Sequence, residues 1–384
     1  MLFPCCLSHR AADEVSLRDN QAEKLKYKGY IMKIKLAILE KDQSYLNRIV
    51  NVFGTKYADK FQIYSFTDMD VAFSTLETAK IEVMVASDAF EIDVNKLPKR
   101  CGFAYFVDSA DVEMLNGQRA ICKFQKADLI YKQILSIYSE NAGNVSGLKL
   151  GDDSCKIIFF QPVSGGVGAS SMAASCAIHF AAKGKKTLYL NLEKFGSSNV
   201  FFNAEGQFDM SDIIFALKSK KTNLAMKLES CVKQAENGVY FYSQSKIALD
   251  MMELNSEDVM RLISELQLTG SYDYIIVDAD FSIDREALKV YRKAHTIVWV
   301  GDGSELSNSK LFRAFNALNV LEQNADSPLP NRTVLIYNKF SNKTSKMLNE
   351  IGLKNIGGAP RFEHATSEQV LEQLSAKDMF DAIM

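Results

Sequence analysis

No apolar run in the sequence approaches the roughly 20 residues a helix needs to cross a bilayer. The longest, 173–182, is broken by Ser175 and His179. The seven cysteines form no C-x-x-C pair and are scattered along the chain. An odd, scattered set argues against a disulfide framework or a zinc site and fits a reducing cytoplasm. Charge of one sign is also lacking: the net charge is −2, which argues against a strongly basic nucleic-acid binder and leaves room only for a local basic patch. Internal repeats and low-complexity segments are absent. What remains is an ordinary soluble composition, 47% hydrophobic and 24% charged, and 384 residues, enough for two to three domains with sizeable cores.

Residues 1–31 are expected to be a disordered leader, or an extension upstream of the true start. The apolar run 1–7 is too short for a signal peptide, and Met32 opens M-K-I-K-L-A-I-L, a clean first strand. From there strand and helix patterns alternate, the signature of a parallel α/β sheet. Strands are expected at 34–39, 61–64, 81–85, 102–107 and 120–123. Leu46, Ile49, Val50 and Phe53 share one helix face, and Ile130, Ile134, Ile137 and Tyr138 stripe the last helix. This spacing predicts a flavodoxin-like doubly wound domain over 32–139. Residues 140–154, where Gly, Asn and Ser cluster without periodicity, read as a linker. The second domain, 155–384, has near-continuous apolar strands at 157–160, 187–192, 239–242, 274–277, 296–300 and 333–337, as buried parallel strands require. An alanine-rich, buried helix is expected at 171–182, stopped by Gly184.

The stretch I-I-F-F-Q-P-V-S-G-G-V-G-A-S-S at 157–171 reads as strand, glycine-rich loop and helix start, the layout of a phosphate-binding P-loop. Ser164, Gly165, Gly166, Val167, Gly168, Ala169, Ser170 and Ser171 form the expected nucleotide cradle. Backbone N–H groups at a helix N-terminus can face an anion, and the Ser170 hydroxyl can hold Mg²⁺. Ala169 stands where such loops carry their phosphate-gripping lysine. A loop that keeps its shape and loses its charge should bind a nucleotide more readily than it hydrolyses one. Asp278 ends an apolar strand, where it could serve Mg²⁺ or cap the next helix. Asn338 ends another, where an amide can read the adenine edge. Trp299 and His295 read as core or edge residues.

With K-G-K-K-T-L-Y-L-N-L-E at 183–193, Y-D-Y-I-I-V-D-A-D at 272–280, V-L-I-Y-N-K-F at 334–340 and I-G-G-A-P-R-F at 356–362, the second half resembles the MinD/ParA-type ATPases with a deviant Walker A motif. That family reads K-G-G-x-G-K-[ST] at the loop. Here Ser164 and Ala169 replace both lysines, and Val163 replaces the preceding glycine. The resemblance implies ATP and Mg²⁺ as ligands, Asp278 as the Walker B acid, and Asn191 and Glu193 at the places of two aspartates. Glu193 and Asp278 are thus the catalytic candidates, although Glu193 also reads as a solvated loop residue. Asn191 cannot act as a carboxylate. Pro360 falls where the relatives pack a proline near the base, or is a plain turn residue.

The first half resembles response-regulator receiver domains. Glu40 and Asp42 follow the first strand where receivers gather acids for Mg²⁺, with Lys41 between them. Asp88 follows the third strand as a possible phospho-acceptor; a two-residue shift would place Ala86 there instead. Ser109 follows the fourth strand, and Lys123 closes the fifth, with Phe124 in place of the usual proline. The domain reads as receiver-shaped more than phosphorylatable. Joined to a MinD-like domain with a degenerate loop, it resembles the TadZ/CpaE proteins of tight-adherence (Flp) pilus assembly. That resemblance implies an ATP-binding homodimer of weak or no ATPase activity, with pilus and secretion assembly proteins as partners. Its expected place is the cytoplasm, polar or near the membrane through those partners. The rival readings are an active MinD/ParA-type positioning or partitioning ATPase, and a phosphorylation-dependent response regulator. Against the first stand the missing lysines, the absence of a basic patch and a last segment without a basic amphipathic helix.

Overall fold

The computed structural model describes residues 33–141, 155–219 and 222–384. The expected leader at 1–31, and 142–154 of the expected linker, lie outside them. The chain divides into two compact units, Met1–Ile130 and Tyr131–Met384, and each surrounds its own sheet.

In the first unit the strands are β1 (Ile34–Leu39), β2 (Phe61–Phe66), β3 (Val83–Ser87), β4 (Gly102–Val107), β5 (Met114–Leu115) and β6 (Gln118–Cys122), in the order β2-β1-β3-β4-β6-β5. Only β5 runs antiparallel, to β6. Without it the order is that of a flavodoxin-like sheet. β3 and β4 are buried along their whole length, which is why both read as unbroken apolar runs. Helix Gln43–Lys56 starts where the Asp42 carboxylate caps Ser44 and Tyr45 N–H, and it buries Tyr45, Leu46, Ile49 and Phe53. Val50, expected on that face, is only half-buried. The third strand lies two residues later than expected, and the last begins and ends earlier. The β5–β6 hairpin was not foreseen. Asn116 and Gly117 both have positive φ, 50° and 73°, the conformation that a type I′ hairpin turn requires.

The second unit holds β7 (Lys156–Pro162), β8 (Thr187–Asn191), β9 (Lys233–Gln234), β10 (Tyr240–Phe241), β11 (Tyr274–Asp278), β12 (Thr296–Gly301), β13 (Thr333–Phe340) and β14 (Lys354–Pro360). Their order is β14-β13-β12-β7-β11-β8-β10-β9, parallel except for β9. Successive strand residues face opposite layers. Ile157, Phe159, Leu188, Leu190, Ile275 and Val277 enter one core. Ile158, Phe160, Tyr189, Ile276 and Val298 enter the other, against helix Ala169–Ala182. Nine residues of that helix are buried, mostly small ones, so it lies close on the sheet. Two expectations change here. The strand at 239–242 contracts to Tyr240–Phe241, and the I-G-G-A-P segment forms an additional strand, β14, beside β13.

Candidate nucleotide site

β7, β8 and β11 are parallel and adjacent, so the loops that follow them open at one edge of the sheet. β7 delivers the chain into loop 163–168, and the helix begins directly after Gly168, two residues before the expected start. Gly168 occupies the N-cap with φ 81° and makes no side-chain cap, so the N–H groups of the first turn keep their capacity for an external acceptor. Ala169 is 3% exposed and packs into the core layer with Val167 and Met172. It places no charge at the loop.

β13 pins this loop from the side. Asn338, buried two residues before the end of β13 rather than at its end as expected, donates through Nδ2 to Val167 O at 2.8 Å. Lys339 donates through Nζ to Gly166 O at 2.7 Å. The expected adenine-reading amide is therefore engaged with the loop backbone. Ser164 is buried at the loop's start, and Ser171 is half-buried on the helix. Pro360 ends β14, paired in register with Phe340, and joins neither group.

Strand register sets Asn191 beside Asp278, and the acidic half of the site grows from that pair. Asp278 is completely buried. Its Oδ2 accepts from Tyr189 Oη at 2.7 Å and Asn191 Nδ2 at 3.1 Å. Its Oδ1 has no hydrogen-bond partner among the described residues. Asn191 accepts the Glu193 N–H at 3.0 Å, while Ser170 Oγ donates to Glu193 Oε2 at 3.3 Å. Burial pushes the Asp278 carboxyl up to about 8; the Glu193 charge adds to the rise, and the hydrogen bond from Tyr189 opposes it. Asn191 brings a neutral amide where a third carboxylate would raise it further. Asp278 is not a helix cap, because Asp284 caps the next helix.

A divalent cation fits this donor set. The orphaned Asp278 Oδ1 is a buried oxygen in need of a positive partner, with the Ser170 hydroxyl and Glu193 carboxylate in the same cluster. No group of three or more His, Cys, Asp or Glu gathers into a metal cage among the described residues. A cation of the Mg²⁺ type tolerates that, since it keeps several waters and shares substrate phosphates. Beside Asn191 and Glu193 opens a cavity of about 240 Å³, lined also by Lys194, Phe195, Tyr242 and Lys246. Two contributors escaped sequence reading: Tyr189, which looks like core inside an apolar strand, and Lys339, whose only signal is a lysine beside Asn338 in a site short of lysines.

In the first unit, Glu40 is buried and lies 3.3 Å from Lys123 Nζ, which also pairs with Asp108 at 3.1 Å. Burial alone would lower the Lys123 pKa, but Asp108 and Glu40 raise it on balance. Asp42 is spent on its helix cap. Asp88 is exposed, one residue past the end of β3; buried Ser87 ends the strand, and Ala86 lies within it. Ser109 accepts from Asp111 N–H at 3.3 Å. Phe124 is 70% exposed. Thus Glu40 and Lys123 meet, whereas Asp42 and Ser109 make local bonds.

Fold and site define a two-part α/β protein: a receiver-type domain, then a doubly wound, mostly parallel P-loop domain. Residues 32–139 match the family model described as TadZ-like, receiver domain. No curated protein matches the chain significantly. Solved structures similar to it include a ParA family ATPase from Chlorobium tepidum TLS, at 21% identity over 59% of this chain and 95% of that one, TM-score 0.47. The MinC:MinD cell division complex of Aquifex aeolicus is similar at 16% identity over 60% and 96%, TM-score 0.46. The septum site-determining protein MinD of Pyrococcus horikoshii OT3, complexed with Mg-ADP, is similar at 14% identity over 58% and 94%, TM-score 0.45. Among the described residues no helix is long and apolar enough to cross a membrane.

Proposed function

We propose that this chain is an ATP-binding, weakly or non-hydrolysing dimeric scaffold of the TadZ/CpaE type, marking where a tight-adherence (Flp) pilus or related secretion apparatus is assembled. Its parts are a receiver-like domain at 32–139, a linker at 140–154 and a nucleotide-binding domain at 155–384. The carrying observation is a P-loop intact in backbone with the buried Ala169 in the lysine position. Loop N–H groups and Ser170 receive the phosphates and Mg²⁺, and Asp278 with Glu193 completes the cation's surroundings. When bound, the cation neutralises phosphate charge. Phosphoryl transfer depends on positioning and charge, and losing one preorganised donor typically costs ~10²–10³ in rate. Binding survives better than turnover. The placement of Asp88 speaks against a phosphorylation switch, which leaves the receiver domain as a contact surface for assembly partners in the cytoplasm, at a pole or the membrane.

Calorimetric titration with ATP and Mg²⁺, with phosphate release followed in the same samples, tests this. Saturable binding and turnover far below the ~1 s⁻¹ of working enzymes are expected; turnover at or above that value overturns the scaffold reading.

Pairing through 155–384 is supported by exposed apolar side chains on and flanking the segments that line the cavity: Phe195 at 73%, Ile247 at 58% and Leu249 at 66%. Ser164 is too short and uncharged to reach a partner's phosphates. The dimer must rest on such contacts, and its dissociation constant should vary little with salt. Light scattering on the full chain with ATP and Mg²⁺ checks this. A monomer at micromolar concentration would leave a solitary binding module.

A further inference from the structure

The loop lacks its own cation, yet a lysine lies across it. We infer that Lys339, delivered from β13, is the phosphate-binding cation of this site. It serves the β- and γ-phosphates of a nucleoside di- or triphosphate in place of the missing loop lysine. The inference rests on the nucleotide-binding reading above and assigns a specific side chain to it.

Four observations carry it. The Lys339 ammonium bonds Gly166 O at 2.7 Å, and its Cε is 3.6 Å from where a Cβ on Gly168 would stand. The side chain therefore runs along the glycines of the cradle. Its backbone has φ 57°, a left-handed conformation that strains a non-glycine residue. The β13–β14 register shifts between Tyr337 and Phe340, around Asn338 and Lys339. Such irregularities re-aim side chains beside functional sites, and here two consecutive side chains both reach the loop. Finally, Lys339 is exposed, and among the described residues no carboxylate lies within ion-pair distance of it. A neutral carbonyl is a modest partner for a full positive charge. A phosphate oxygen brings the opposite full charge, so that both partners of the bond are ionised, and the ammonium can exchange Gly166 O for phosphate by a small swing of its flexible stem.

The test is titration of the full chain with AMP, ADP and ATP, each with Mg²⁺, for the parent and for Lys339→Met, Lys339→Arg and Lys339→Glu. Loss of one charge-assisted bond corresponds to roughly a ten- to hundredfold weakening. Lys339→Met should lose about that much for ADP and ATP and little for AMP. Lys339→Arg should keep most of the affinity, and Lys339→Glu should lose the most. The salt dependence of ATP binding should also flatten in Lys339→Met. A merely structural staple would, on removal, weaken AMP and ATP alike and lower the nucleotide-free melting temperature to match. If the parent binds ATP and Lys339→Met binds it equally well, the inference fails alone. If the parent binds no nucleotide, the reading beneath it fails and takes the inference with it.

Discussion

Asp278→Asn should make the nucleotide-free protein more stable, by about 4 kcal/mol near neutral pH. Asp278 is wholly buried with an orphaned Oδ1, and its carboxyl is held at about 8, against an ordinary 3.8. Between those values the folded protein keeps a proton that the unfolded chain releases. The residue's contribution to stability is therefore fully present below about 3.8 and is lost as pH rises through about 8, at about 1.4 kcal/mol per pH unit. An asparagine keeps the acceptor for Tyr189 and Asn191, with no charge to desolvate. Urea denaturation of both proteins at about pH 5, 7 and 9 checks this. The gap should widen with pH and level off above 8. A variant less stable than the parent at every pH would sink it. Mg²⁺ with nucleotide should narrow the gap by stabilising only the parent, since only there does the buried oxygen acquire a positive partner.

How far the residues announced this arrangement depends on whether each signal is local. β1, β4, β7 and β11 were legible because strands buried on both faces must be apolar along most of their length. The third strand slipped by two residues because the apolar character of Val83–Ala86 runs on without a turn residue before Asp88. The slip moves the strand end to Ser87, so that the exposed Asp88 is the first residue after it. The β5–β6 hairpin had a strong cue in Asn116-Gly117, masked by strands of two and five residues. The loop and Asp278 came from the strand–loop–helix pattern and a strand-end position, and Asn191 from the family resemblance. Lys339 did not. It meets Gly166 across 173 residues of sequence, through a register irregularity that no periodicity records.

Gly168→Ala should disable the site by unseating the loop from β13, whereas Gly165→Ala should not. A Cβ on Gly168 would stand 2.5 Å from Asn338 Nδ2, and the residue's φ of 81° is strained for alanine. A Cβ on Gly165 would meet nothing within 4 Å. The first substitution therefore costs the left-handed penalty of roughly 1–2 kcal/mol. It also costs much of the buried Asn338–Val167 hydrogen bond, whose loss is worth roughly 1–3 kcal/mol. A total destabilisation of about 2–4 kcal/mol and loss of most ATP affinity are expected. The Gly165 variant should stay within about 0.5 kcal/mol of the parent. Asn338→Ala supplies the decisive control, because it removes the group that the new methyl strikes. In that background Gly168→Ala should cost only the backbone penalty, so the two changes must be non-additive by about 1 kcal/mol or more. Strict additivity in denaturation experiments would mean that Gly168 and Asn338 do not meet, and that the loop is not held from β13.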